Sequence, residues 1–202
     1  MTHIYRPWGL LKWVLEKGPT VKWTVFGCIG PEERSLEVMA HLRELGLDVG
    51  FHILRIKDPP SRHSVAFGKK VALREAQFVQ KWGNLGELKQ HSLLEQYSLI
   101  VEEAIRFTAK PNENVILDVT SLPKRFFFPT LKVLLQSPLI RNLIVTYTFP
   151  RAYESGKLAE NVLEWEHLPL FGGVYTREKP KMVVVGVGFD AFGLHSARQQ
   201  QL

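Results

Sequence analysis

Two short stretches concentrate residue types that handle oxyanions. The later one, Asp118-Val119-Thr120-Ser121-Leu122-Pro123-Lys124-Arg125, links an apolar run to an amphipathic one. A helix that starts there offers unpaired backbone N–H groups and the positive end of its dipole, which together attract anions. Thr120 and Ser121 can donate to a phosphate, or cap the helix in its absence. Lys124 and Arg125 fall in the first helical turn, where the dipole disfavours cations. A bound anion would offset that cost; a solvated basic pair beside a Ser121 cap is the plain structural alternative. No Asp or Glu occurs between Asp118 and Glu154, whereas Lys124, Arg125, Lys132, Arg141 and Arg151 all do.

The earlier stretch runs from Gly27 through Gly30-Pro31-Glu32-Glu33-Arg34-Ser35. It too joins an apolar run to an amphipathic one, with Arg34 and Ser35 as its anion-binding side chains. Arg151 and Tyr153 follow a further apolar run, and an aromatic beside an arginine suits stacking on a base. Asp118 and Glu33 are the candidate general acids or bases. Asp118 could equally orient Lys124 or Arg34, contact a ribose hydroxyl, or cap the turn that follows it. Glu32, Glu33 and Arg34 are consecutive, so they cannot all face one crevice, and Arg34 is the better ligand contact.

The elements that position these residues alternate in period. Residues 21–29, 47–56, 114–120 and 142–149 read as strands, rich in β-branched and aromatic residues. Residues 32–45 read as a helix with Pro31 before it and Gly46 as its stop. Residues 57–70 read as a basic loop after Pro59-Pro60. Residues 71–109 read as a long helical region, broken into two helices near Gly83-Asn84 and Gly86. A helix over 124–136 contains an awkward Pro129, and 161–168 and 181–188 read as further strands. Alternating strands and helices imply an α/β, Rossmann-like fold: a mostly parallel sheet, order 2-1-3-4 plus extra C-terminal strands, with helices on both faces. The expected organisation is an N-terminal extension over 1–20, an α/β core over 21–153, and C-terminal strands over 154–202. The first and third strands are then neighbours whose crossovers leave to opposite faces. The crevice between their C-terminal ends is where open α/β sheets bind ligands.

The 202 residues carry 45% hydrophobic and 23% charged side chains, ample for a packed core and incompatible with disorder throughout. The formal charge of +6 favours an anionic partner, although many soluble proteins carry as much. A lone cysteine, Cys28, excludes a disulfide framework and fits a reducing cytoplasm. No apolar run reaches the ~18 residues of a membrane span, and residues 1–18 make a poor signal peptide. The seven histidines show no metal-ligand spacing, so no metal or other cofactor is expected. Gly186-Val187-Gly188-Phe189-Asp190-Ala191 matches a dinucleotide fingerprint, but without the βαβ unit and ribose-binding acid ~20 residues on that would give it meaning.

The segment LDVTSLPKRFFFP, residues 117–129, resembles a motif of the CARF family of nucleotide-sensing Rossmann-like domains, to which SAVED domains are similar in plan. There the strand before the ligand pocket ends in Thr or Ser, then a short turn and a Lys or Arg. The glycines common in that turn are here Leu122 and Pro123. The resemblance implies that Thr120, Ser121, Lys124 and Arg125 contact the ligand, with Arg34 and Ser35 opposite. It implies a cyclic oligonucleotide bound at a homodimer interface, coupled to an effector domain or protein in prokaryotic antiviral defence. The function expected first is thus a nucleotide-binding sensor module. An enzyme acting on a nucleotide or nucleoside (a phosphodiesterase, ring nuclease or N-glycosidase) and a non-enzymatic subunit of a larger complex are the other two readings.

Overall fold

The computed structural model describes residues 9–16, 21–61, 64–110, 113–152, 168 and 170–172. The chain divides into two compact units, Met1–Phe149 and Pro150–Leu202. The strand expected over 181–188, nearly all of that over 161–168, and Tyr153 lie outside the described residues.

Among the described residues, unit one is built on five parallel strands: β1 (Trp23–Ile29), β2 (Val49–Lys57), β3 (Gly86–Ser92), β4 (Asn114–Asp118) and β5 (Asn142–Thr146). Their spatial order is β3-β2-β1-β4-β5. The architecture is therefore α/β and Rossmann-like, and the expected order 2-1-3-4 lies within it. The register places Val25 beside Phe51 on one side and Ile116 on the other. Alternate residues of the central strands feed two cores, as the period of two demands. Val25, Phe51, Ile53 and Ile116 pack with α1 (Leu11–Glu16), α2 (Glu37–Glu44) and α3 (Ser64–Trp82) through Leu15, Met39, Leu42, Phe78 and Trp82. Phe26, Leu54, Val115 and Leu117 pack with α4 (Tyr97–Thr108) and α5 (Lys124–Gln136) through Ile100, Phe107, Phe126 and Leu134.

The expected helical region over 71–109 is corrected most. It is α3, then β3, then α4, and α3 already begins at Ser64, inside the expected loop over 57–70. The sequence of β3, GELKQHS, has one apolar residue and is largely exposed, so periodicity does not mark it as a strand. Among the described residues it pairs only with β2, and polar residues on such an edge discourage pairing with other chains. The helix expected over 32–45 is a 3-10 turn over Glu33–Leu36 followed by α2, and Gly46 terminates it at a φ of 69°. Strands β4 and β5 stop at Asp118 and Thr146, short of the expected 120 and 149, because the chain there turns to side-chain hydrogen bonds. Helix α5 runs unbroken through Pro129, whose ring is buried.

A buried polar chain fastens β3 and α4 to β2. His52 of β2 stacks on Phe26, with ring centroids 5.0 Å apart, and its Nε2 lies 2.8 Å from Oε1 of buried Glu103. Oε2 of Glu103 lies 3.7 Å from Nε2 of His91, whose Nδ1 meets Glu95 at 2.6 Å. Arg106 adds a cation 3.8 Å from Glu103, and Glu87 faces His52 Nδ1 at 3.7 Å. The His52 contact holds the Glu103 carboxyl below its usual 4.5, against the opposing effect of burial. A depressed folded pKa contributes stability that is complete above pH 4.5 and is lost as pH falls through the folded value. Glu103→Gln should therefore cost ~3 kcal/mol at neutral pH and flatten the acid side of the stability profile, read by urea unfolding at stepped pH.

Gly86 supplies a second test. A Cβ there would lie 2.1 Å from the Phe51 carbonyl oxygen and 2.6 Å from Phe51 Cβ. Gly86→Ala should thus loosen the start of the β2–β3 pairing and destabilise the fold by about 2 kcal/mol or more, measured by urea unfolding. Gly68→Ala, where nothing lies within 4 Å of the new methyl, should be neutral or slightly stabilising.

Candidate functional site

The chain reverses its direction across the sheet between β1 and β4: successive strands run outward from β1 to β3, then resume at β4 on the other side. The turns leaving these two strands touch. A Cβ on Gly30 would lie 2.6 Å from Ser121 Oγ and 2.7 Å from Ser121 Cβ, so only glycine allows this approach. Ser35 is buried, with its hydroxyl within hydrogen-bond distance of the Gly30 and Glu32 carbonyl oxygens, at 3.3 and 2.8 Å. That hydroxyl shapes the first turn.

Asp118 organises the second turn. Its carboxylate is buried, and Oδ1 accepts hydrogen bonds from the Thr120 N–H (3.1 Å), the Thr120 hydroxyl and the Thr146 hydroxyl (3.4 Å). The Thr120 hydroxyl in turn accepts from the Thr148 N–H at 2.9 Å. Burial pushes the Asp118 carboxyl up, while these donors and the charge of Arg34 pull it down. From the first turn, Arg34 reaches the same place and donates to the Thr148 carbonyl oxygen at 2.7 Å. Three segments are thereby joined: Gly30 to Ser35, Val119 to Ser121, and Thr146 to Phe149.

Arg34 is also gripped by Glu32 through its Nε and one terminal nitrogen, and this pairing raises its already high pKa. Its guanidinium carbon lies 5.3 Å from the centre of the Tyr147 ring. Pro123 stands at the N-cap of α5 and no side chain caps the helix, so Ser121 does not cap it, and its first turn holds no acid. Lys124 is exposed there.

The expected residues thus separate. Asp118, Thr120, Ser121, Arg34 and Ser35 come together at the strand ends, with Lys124 at the start of the adjoining helix. Arg125 turns toward α4: its guanidinium sits 4.1 Å over the Tyr97 ring and donates to the Tyr97 hydroxyl (3.3 Å) and the Glu95 carbonyl (3.1 Å). Glu33 is exposed and pairs with Arg74 of α3 at 3.0 Å. Arg151 belongs to the second unit. Burial pushes the Cys28 thiol up to about 12, which makes it an inert core residue. Among the described residues, no group of three His, Cys, Asp or Glu could hold a metal ion.

Thr146, Tyr147, Thr148 and Phe149 are the residues that sequence reasoning passed over. Their signal is the alternation Thr-Tyr-Thr-Phe, along which the threonines are half-buried and the rings exposed. No protein-family model matches the chain, and neither does any curated protein or solved structure.

Thr120→Val keeps the shape of the side chain and removes both hydroxyl bonds, leaving the Thr148 N–H and Asp118 short of partners. It should cost about 2 kcal/mol and speed hydrogen exchange at Thr148, with Thr120→Ser restoring both.

Proposed function

We propose that the chain is a nucleotide-binding module that holds a phosphate group where the turns after β1 and β4 meet. The observation that carries this reading is the Gly30–Ser121 approach, which puts two turns distant in sequence at the one place where a sheet of this order opens a crevice. The start of α5 supplies N–H groups and dipole, Ser121 a hydroxyl, and Lys124 an exposed cation. Arg34 supplies a planar fork. Glu32 now grips that fork much as a phosphate would, so an incoming phosphate competes with a carboxylate already in place.

Binding accounts for these side chains better than turnover does. Asp118 is committed to Thr120 and Thr146, and Glu33 to Arg74, so the two candidate acids do not converge on one point. The resemblance to CARF and SAVED domains extends the proposal to a cyclic oligonucleotide, a homodimer with an effector partner, and antiviral signalling in the cytoplasm. Among the described residues no helix is long and apolar enough to cross a membrane.

A thermal-shift series with linear and cyclic nucleotides tests the reading. Ligand at ~100 times its Kd should add roughly 2.7 kcal/mol of stability. Lys124→Glu should weaken binding about tenfold or more without lowering the melting temperature of the free protein. Glu32→Gln, which frees the Arg34 fork, should tighten it. No shift with any nucleotide, or unchanged affinity in Lys124→Glu, would overturn the proposal.

A further inference from the structure

We infer that Tyr147 and Phe149 form a shelf for the base of the bound nucleotide, so that the site selects an aromatic base as well as a phosphate. The inference rests on the phosphate-binding reading above and adds a ligand class to it. Tyr147 is 45% exposed and Phe149 75%, although the two rings contact each other edge to face, with centroids 5.2 Å apart. Exposed rings normally fold back onto apolar surface. Here the backbone between them is held at Thr148, its N–H by the Thr120 hydroxyl and its carbonyl oxygen by Arg34. Burial alternates along this segment, with Thr146 and Thr148 half-buried and Tyr147 and Phe149 exposed.

Arg34 joins the two halves of the site. One guanidinium lies against the Tyr147 ring and donates to the segment that carries the shelf, while it belongs to the turn that packs on Ser121. A base is the flat, polarizable partner that covers such rings without needing a complementary hydrogen-bond pattern. Carbohydrate phosphates lacking a base would leave Phe149 in water.

Calorimetric titration with the four ribonucleoside 5′-monophosphates and with ribose 5-phosphate separates the two readings. The nucleotides should bind roughly tenfold or more tighter than ribose 5-phosphate. Phe149→Ala, at an exposed position, should reduce nucleotide affinity to that of ribose 5-phosphate, leave ribose 5-phosphate binding and the melting temperature unchanged, and be reversed in Phe149→Trp. Equal affinity for both kinds of probe, or nucleotide affinity indifferent to Phe149→Ala, would overturn the shelf while the phosphate site stands. Binding by neither probe would overturn both.

Discussion

The arrangement at the strand ends depends on one buried carboxylate. Asp118 sits at the end of β4, the strand between β1 and β5, with almost no access to water. A buried acid must find donors or give up its charge. Within its own turn it finds the Thr120 N–H and hydroxyl, and across the sheet the Thr146 hydroxyl. Meeting that demand ends β4, directs the Thr120 hydroxyl toward Thr148, and fixes the path of the chain after β5. The turn after β1 is brought in from the other side by Arg34 and by the absence of a side chain at Gly30.

A second set of ionic contacts serves a different end. Parallel strands β2 and β3 present His52 and His91 toward α4, and Glu103 lies between the two rings. This chain holds a mostly polar edge strand that has little apolar surface of its own to bury. Arg125 belongs to this side of the molecule, bound over Tyr97 and to the Glu95 carbonyl. One residue apart in sequence, Lys124 and Arg125 thus have different neighbours, because successive positions on a helix lie about 100° apart.

Much of this was legible beforehand where the signal is local. The apolar run NVILD marks a strand covered on both faces, and Gly46 marks a helix end at positive φ. The parallel order around the first strand followed from the alternation of elements and the handedness of their crossovers. Strand β3 was not legible, since GELKQHS has no period of two and earns its place only by pairing with β2. Nor was the start of α3, where Val65 and Phe67 are exposed and mark no buried face.

By itself, the sequence determined the class of fold, the position of most strands, and the two turns in which Arg34, Ser35, Thr120, Ser121 and Lys124 gather. These depend on side-chain type and spacing over a few residues. Only the tertiary structure decided that Ser121 packs on Gly30, that Ser35 and Asp118 face inward, and that Arg34 rather than Arg125 reaches the segment after β5. Those outcomes depend on which hydrogen-bond donors and acceptors meet across strands far apart in the chain, and no local pattern encodes such meetings.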